Sequence, residues 1–297
     1  MPAVAQPPST QPSSTRSHPA LAHPALSRRR ELGATSARSL LLTVLGEFVL
    51  PREEPVWTQV LIDVLGELGV EPKSARQALA RTAAEGLLES DRAGRRVRWS
   101  LTASGRRLLS DGAARIYGFG TSDRPWDGRW LVLLVSVPES RRQLRHRLRT
   151  RLAWAGLGSP TPGVWVSPDP GKQDEVADVV DDLELAGVTS SFVGPFGAIG
   201  AERDIVAHAW DLAEVEAAYE GFLDAFAAAE PATPAELLAH QIHLVHAWRR
   251  FPFLDPQLPP ELLPAQWAGA RAANRFTHLH ASWDRPAQRH WQRLVTP

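Results

Sequence analysis

The short turn between Leu68 and Pro72 constrains the fold of this chain more than any other feature of its sequence. Before the turn, apolar side chains recur at helical spacing from Trp57 to Leu68, which predicts an amphipathic helix that ends at Gly69. Proline is favoured at the first helical position, so Pro72 predicts the start of the next helix. Because so few residues join the two helices, they are expected to cross at a steep angle, as in a helix-turn-helix.

The helix that begins at Pro72 has two chemically different faces. Helical geometry gathers its small and apolar side chains on one side: Ala75, Ala78, Leu79 and Thr82. The opposite side carries Lys73, Arg76, Gln77, Ala80 and Arg81. Arg76 and Arg81 suit guanine and Gln77 suits adenine, whereas Lys73 and Ser74 suit phosphates. The alternative interpretation is an amphipathic helix whose outer face is only solvated.

A basic hairpin follows this helix. Leu87 and Leu88 predict one strand, the alternating segment Val97 to Leu101 predicts a second, and a glycine-containing turn from Ser90 to Arg96 joins them. Four arginines near the tip are expected to meet the phosphate backbone or a minor groove: Arg92, Arg95, Arg96 and Arg98. Simple surface charge is the alternative. A helix over Leu40 to Phe48, capped by Thr35 or Ser36, precedes all of these elements.

Basic residues are concentrated in the segment that contains the helix beginning at Pro72 and the hairpin. The whole chain has a formal net charge of zero, but residues 73–107 contain nine Lys and Arg against three Asp and Glu. Such a concentration marks a phosphate-facing surface in an otherwise neutral protein. The sequence therefore predicts a winged helix-turn-helix DNA-binding domain over residues 35–118.

The middle of the chain, residues 125–200, predicts a ferredoxin-like βαββαβ domain. Strands are expected at 131–137, 158–161, 163–166 and 188–193, with helices at 139–155 and 174–185. The first helix holds six arginines and the second is acidic, so the two can neutralise each other where they lie side by side; auxiliary DNA contact is the alternative for the arginines.

This unit is also similar in element order to small CRISPR-associated nucleases, which bind a metal through an acidic residue at the end of the first strand. Here the corresponding stretch is Val135 to Pro138, and Glu139 is the nearest acid. Without that carboxylate, metal-dependent cleavage lacks its ligand. A metal-dependent nuclease therefore remains only the alternative function, and the unit is expected to connect or dimerise.

The last third, residues 201–297, predicts helices at 205–226, 235–249 and 266–283 and a short final helix, with tryptophans as packing anchors. We expect it to be an effector-binding or dimerisation domain. His240, His243 and His246 recur every three residues, but the third is rotated about 120° from the first, so structural roles are favoured over a shared metal ion. No metal site is predicted.

Composition excludes several classes of function. The chain of 297 residues is long enough for two or three folded units, has no apolar run of membrane-spanning length, and contains no cysteine, which fits a reducing cytoplasm. The Pro- and Ser-rich residues 1–34 predict a disordered tail. No Walker-type loop, Gly-x-Ser-x-Gly elbow or His-Glu-x-x-His segment is present. We therefore expect no enzyme, no catalytic residue and no cofactor.

Several passages together resemble the PaaX family of phenylacetate-degradation repressors over nearly the whole chain after the tail. In the N-terminal unit they are residues 35–41, which include Arg38, residues 75–81 and residues 94–96. In the middle unit they are residues 126–130 and 162–168. The most specific passage is Arg249 to Pro259, within residues 246–263.

The resemblance implies a cytoplasmic, homodimeric repressor of an aromatic-acid degradation operon. It implies binding to double-stranded operator DNA, with Arg38 among the contacting residues, and release by an acyl-CoA effector such as phenylacetyl-CoA. For such an effector, cations for the phosphates and an apolar slot are offered by Arg249, Arg250, Phe251, Phe253, Trp267 and Arg271. The alternative for this segment is a folding motif in which Arg249 or Arg250 pairs with Asp255.

Overall fold

The computed structural model describes residues 36–120 and 125–296, so the predicted tail lies outside the described residues. The chain forms a mixed α+β structure with two small sheets and many helices. The N-terminal unit consists of α1 (Ala37–Val44), a π-helical turn (Leu45–Val49), β1 (Val56–Trp57), α2 (Thr58–Glu67), α3 (Pro72–Ala84), β2 (Leu88–Ala93), β3 (Arg96–Leu101) and α4 (Ala103–Tyr117).

Local sequence accounts for the boundaries of these elements. Ser36 caps α1 by accepting a hydrogen bond from the backbone N–H of Ser39, and Pro72 opens α3 as predicted. The strands of the hairpin run further toward its tip than predicted, because only Gly94 and Arg95 form the turn. Gly94 has a φ of 64°, which a residue without a side chain adopts at little cost. Strand β1 adds a third strand beside β3.

The core of the N-terminal unit is completed by the C-terminal third of the chain. Its buried cluster contains residues of α1, α2 and α3 together with Leu238, Ile242, Ala287 and Trp291. The ring of Trp291 stacks on that of Phe48 with centroids 5.2 Å apart. Residues 35–118 and 201–297, assigned separately from sequence, therefore share one apolar core.

The middle unit contains β4 (Arg129–Val135), α5 (Arg142–Trp154), β5 (Gly158–Thr161), β6 (Val164–Ser167), α6 (Gln173–Asp182) and β7 (Thr189–Pro195). The four strands are antiparallel in the order β5-β6-β4-β7. Helices α5 and α6 cover one face through Leu148, Leu152 and Val176. The predicted βαββαβ order is confirmed, including the weak strand at 158–161.

The C-terminal third contains α7 (Glu202–Ala209), α8 (Leu212–Ala225), α9 (Pro234–Trp248), α10 (Phe251–Leu254) and α11 (Ala268–Val295). One short 3-10 turn lies in this third at Pro260–Leu262, and two lie in the middle unit at Pro170–Lys172 and Ala186–Val188. Two aromatic-rich clusters bury much of this region, one around Trp248 and one joining Trp210 to the open face of the middle sheet.

Two helix predictions in this third were wrong. The segment 205–226 is two helices, because Trp210 has extended backbone angles and packs against Trp130, while Asp211 caps the next helix. Conversely, the predicted break before a short final helix is absent, and α11 continues through Pro286. Packing of Trp283 and Ala287 on either side of the proline outweighs its missing N–H. None of the helices in the described residues is long and apolar enough to span a membrane.

Candidate nucleic-acid interface

Helix α3 presents the predicted polar face to solvent. Its inner side chains Ala75, Leu79 and Thr82 are at most 1% exposed and dock the helix onto the N-terminal core. The outer face is exposed along its length: Lys73, Ser74, Arg76, Gln77, Ala80 and Arg81. Within residues 36–120 and 125–296, no carboxylate forms an ion pair with Lys73, Arg76 or Arg81. These cations are therefore available to an external anion.

The hairpin is fixed to α2 by a small hydrogen-bond network. The indole Nε1 of Trp99 donates to Thr58 Oγ1 at 2.9 Å, and the same hydroxyl donates to the backbone oxygen of Val97 at 2.9 Å. At the base of the hairpin, Gly105 in the first turn of α4 lies so close to Leu87 that a Cβ would be 2.1 Å from the Leu87 carbonyl oxygen. These contacts set the direction in which the hairpin points.

The four hairpin arginines differ in their surroundings. Arg92 and Arg95 are exposed and have no ion-pair partner among the described residues. The guanidinium of Arg96 lies 5.9 Å from the ring centroid of Trp57. Arg98 is held by Asp91, to which its Nε and Nη2 donate at 2.9 and 2.6 Å. Arg92 and Arg95 are thus the hairpin cations left free for phosphate.

Arg38 supports α3 instead of pointing freely into solvent. Its guanidinium pairs with Glu85, the residue at which α3 ends, and its Nε is buried without a hydrogen-bond partner in the described structure. The ion pair links α1 to the end of the exposed helix. A DNA contact by Arg38 would therefore compete with this bond.

The six residues predicted for an effector are spread over several environments. Phe251 is fully buried and stacks on Tyr219, with ring centroids 4.2 Å apart, and Arg271 pairs with Glu220 at the surface. Phe253 and Trp267 are half-buried. Asp255, the expected partner in the folding-motif alternative, accepts a hydrogen bond from the Tyr219 hydroxyl at 2.6 Å.

Two adjacent arginines of this set reach buried backbone. Arg249 Nη1 donates to the backbone oxygen of Ser39 at 3.1 Å and to Thr43 Oγ1 at 3.3 Å. Arg250 Nη2 donates to the Ala218 oxygen at 3.4 Å, while its Nε is buried without a partner in the described residues. Burial lowers the pKa of both guanidinium groups from their usual value. Arg249 thus joins the C-terminal third to α1.

A buried polar junction, which the sequence did not reveal, surrounds Glu47 in the π-helical turn. This carboxylate accepts hydrogen bonds from the Tyr117 hydroxyl, from Gln241 Nε2 at 2.7 Å and from His280 Nε2 at 2.9 Å. Burial alone would raise the pKa of Glu47, but His280, Tyr117 and Gln241 bring it below its usual value. The available signal was one acidic residue within the apolar run from Leu40 to Val49.

The three C-terminal histidines do not converge, as helical geometry predicted. His240 Nδ1 contacts the Glu236 backbone oxygen at 2.8 Å, His243 is exposed, and His246 Nδ1 lies 3.1 Å from Thr43 Oγ1. Burial, followed by the charge of Arg249, lowers the pKa of His246 to about 4. The buried imidazole is therefore neutral at physiological pH.

In the middle unit, no carboxylate among the described residues lies at the end of the first strand, which is where the CRISPR-associated nucleases carry their metal-binding acid. Strand β4 ends at Val135, and Glu139 is an exposed side chain 3.5 Å from Arg145. Between the arginine-rich and acidic helices, Arg151 Nη2 pairs with Asp182 at 2.6 Å. The predicted neutralisation is thus present at one pair, and the nuclease alternative is not favoured.

Comparison with known proteins extends over nearly all of the described chain. Family models match residues 36–105 (PaaX-like protein), 123–206 (PaaX protein central Cas2-like domain) and 210–293 (PaaX-like protein C-terminal domain). Transcriptional repressor PaaX of Escherichia coli (strain K12) is 33% identical over 260 residues, which cover 82% of this chain and 79% of that protein.

A solved structure also shares the fold. Uncharacterized protein Rv0674 from Mycobacterium tuberculosis superposes with a TM-score of 0.62 at 23% identity, covering 86% of this chain and 99% of that one. At this identity the likeness concerns the fold alone.

The sequence matches define the class of protein, a transcriptional repressor. The chain belongs to the PaaX family.

Proposed function

We propose that residues 36–118 act as a winged helix-turn-helix that reads double-stranded operator DNA, with α3 in the major groove and the β2–β3 hairpin as the wing. The observation that carries this proposal is the outer face of α3, where Lys73, Arg76 and Arg81 are exposed without an ion-pair partner in the described structure. A helix of this diameter fits the major groove, which is the groove that distinguishes all four base pairs.

The side chains divide by chemistry into base-reading and phosphate-binding groups. Arg76, Gln77 and Arg81 lie on the outer face of α3 and suit base edges, because guanidinium and amide groups can make paired hydrogen bonds to guanine and adenine. Lys73 and Ser74 near the start of α3, with Arg92 and Arg95 on the wing, suit phosphates. Three other arginines support these elements through contacts within the protein. Arg38 contacts Glu85, Arg96 contacts Trp57 and Arg98 contacts Asp91.

We further propose that the repressor is a homodimer in the cytoplasm and that an aryl-CoA thioester releases it from an operator controlling aromatic-acid breakdown. Resemblance to the PaaX family supports the class of effector. Within the chain, Arg249 and Arg250 are near the half-buried Phe253 in sequence, and the guanidinium of Arg115 lies 5.2 Å from the Phe253 ring centroid. Arg249 also contacts α1, so a ligand that recruits it would act on the DNA-binding unit. Phe251 contributes to this region as buried support and not as a contact surface.

Fluorescence anisotropy with DNA from upstream of the protein's own gene tests the DNA-reading proposal. Arg76→Ala or Arg81→Ala should weaken specific binding by about 5- to 150-fold, the value of a lost paired base contact of about 1–3 kcal/mol. The matched control is Arg203→Ala, whose side chain is 89% exposed on α7 and far from the wing in sequence. Control binding should equal that of the unmodified protein.

The same assay separates base contacts from phosphate contacts. Arg92→Ala should weaken binding to all sequences and reduce the slope of log affinity against log salt by about one unit. Unchanged binding by the double variant Arg76→Ala with Arg81→Ala would refute the reading-helix assignment.

A second arm titrates aryl-CoA thioesters and free aromatic acids into the preformed complex. Release by a thioester supports the effector class. Specific DNA binding that no thioester reverses would refute only the effector part of the proposal.

A further inference from the structure

Three side chains of metal-ligating type meet inside the junction between the N-terminal unit and α11. They are Glu47 of the π-helical turn and His280 and Asp284 of α11, and their ligand atoms all lie within 4.8 Å of one another. His280 and Asp284 are four residues apart on one helix, which places both side chains on the same face. Glu47 approaches them from a separate element, so tertiary structure creates the cluster.

The charges in this cluster are not balanced by a permanent cation. Glu47 and Asp284 bring two carboxylates together, and within the described residues no lysine or arginine forms an ion pair with either one. Asp284 also makes no hydrogen bond to another described residue, although it is half-buried. Two close carboxylates repel each other unless a proton or a cation lies between them.

Gln241 supplies an independent sign that a ligand belongs here. Its side chain is 0% exposed, and its amide lies against the cluster, since Nε2 donates to Glu47 Oε1 at 2.7 Å. The amide oxygen of the same group is buried without any hydrogen-bond partner in the described structure. A rotation of the amide by 180° would present this oxygen to the cluster, and amide oxygens bind divalent cations.

The local backbone is also unusual at Glu47. Residues 45–49 form a π-helical turn directly after α1, which widens the helix by one residue and directs Glu47 toward α11. Single π-helical turns are rare and occur frequently at functional sites. The π-helical turn thus directs a carboxylate toward His280 and Asp284 in addition to its role in packing.

We propose that Glu47, His280 and Asp284 bind one first-row divalent metal ion, with the Gln241 amide oxygen as a further ligand. One imidazole nitrogen and two carboxylates form a mixed donor set that suits Zn²⁺, and such a set binds Mg²⁺ poorly because Mg²⁺ prefers oxygen ligands and water. The ion would replace the hydrogen bonds that His280 and Gln241 now make to Glu47. It would tie the π-helical turn after α1 to α11, and this inference does not depend on the operator or the effector.

The experiment uses the full chain after treatment with a chelator. Zn²⁺ and Mg²⁺ are titrated separately by isothermal titration calorimetry, and thermal unfolding is followed with and without each ion. We expect one Zn²⁺ per chain and a rise in Tm of about 5 °C or more when free Zn²⁺ exceeds its Kd by a hundredfold. Co²⁺ should bind in the same place and give a visible absorption band that Zn²⁺ abolishes.

Asp284→Asn is the decisive variant, because it keeps the shape of a side chain that makes no hydrogen bond to another described residue. It should fold, lose the stoichiometric Zn²⁺ equivalent and lose the rise in Tm. His280→Gln should have the same effect, whereas the control His243→Gln, at an exposed histidine outside the cluster, should bind Zn²⁺ as the unmodified protein does.

Three outcomes would overturn the proposal. The first is no stoichiometric binding of Zn²⁺ or Co²⁺ to the unmodified chain. The second is binding that survives in folded Asp284→Asn and His280→Gln, because the ion would then lie elsewhere. Loss of binding in His243→Gln alone would likewise assign the ion to another histidine.

Discussion

Removal of the Trp291 ring tests whether the C-terminal helix is part of the core of the N-terminal unit. Trp291 is 1% exposed and stacks on Phe48, which is itself fully buried. Trp291→Ala would leave a large cavity directly beneath the π-helical turn and α1. We expect the N-terminal unit to be destabilised although the substituted residue lies near the other end of the chain.

The size of the effect follows from the burial of the ring. Truncation of a buried tryptophan to alanine costs about 3–5 kcal/mol, and the lost stacking with Phe48 places the value toward the upper part of that range. Folded domains have only about 5–15 kcal/mol of stability, so the loss is a large fraction of the total. Trp154→Ala is the matched control, because this tryptophan is 52% exposed. It should cost about 1 kcal/mol or less.

Urea unfolding followed by circular dichroism measures the global loss, and hydrogen exchange of peptides from residues 58–84 measures the loss in α2 and α3. For Trp291→Ala, exchange in those peptides should accelerate in parallel with the fall in stability. The shared core would be refuted if Trp291→Ala stayed folded and the free energy of opening, derived from hydrogen exchange in residues 58–84, fell by less than about 1 kcal/mol.

Two further predictions concern packing and pH. Gly105→Ala should destabilise the fold by about 1–3 kcal/mol in urea unfolding, because the new Cβ would meet the Leu87 carbonyl. The control Gly112→Ala, in the same helix, meets no other atom and should stabilise the fold by about 0.5–1 kcal/mol. Equal effects of the two substitutions would contradict the close approach of Gly105 to Leu87. Because the pKa of His246 is lowered to about 4 from 6.5 by burial and then by Arg249, the unfolded state binds more protons between these values. Stability should therefore fall between pH 6.5 and 4, by up to about 3 kcal/mol. His246→Gln should flatten this dependence in urea titrations, and an unchanged slope would remove His246 as its cause.

The faces of helices were predictable because their periodicity is written in the local sequence. Ala75, Leu79 and Thr82 are buried and Arg76 and Arg81 exposed, as helical spacing requires. The same reasoning predicted the βαββαβ order of elements along the middle unit, with 158–161 as a weak strand. Hydrophobic pattern thus indicated the type of each element and its order along the chain.

Contacts between distant segments were not predictable in this way. Nothing near Glu47 in sequence indicates that Gln241 and His280 surround it, and nothing near Trp291 indicates Phe48 as its partner. The hairpin arginines likewise look alike in sequence, yet Arg98 is paired with Asp91 and Arg95 is exposed. Pairing of this kind depends on tertiary geometry, which a single sequence does not contain.

The position of α1 gives the proposed effector a physical route to α3, the helix proposed to read DNA. On one side, Arg249 donates to the backbone oxygen of Ser39 and to Thr43, and on the other, Arg38 pairs with Glu85 at the end of α3. A thioester whose phosphates recruit Arg249 would break its hydrogen bonds to Ser39 and Thr43, although the Thr43 hydroxyl would keep its contact with His246. A hydrogen bond from a charged group contributes about 1.5–3 kcal/mol, so the loss is of this order.

Allosteric coupling free energies are of this same size, about 1–3 kcal/mol. Displacement of Arg249 would therefore weaken operator binding several-fold if the contact with α1 is needed in the operator-bound state and not in the released one. The effector would then act on the support of α3 and not on its base contacts. Linkage applies to this route as to any other: operator DNA must weaken thioester binding by the same factor by which the thioester weakens operator binding. Unequal apparent factors at equilibrium would mean that a further linked step, such as a change of oligomeric state, accompanies one of the two binding reactions.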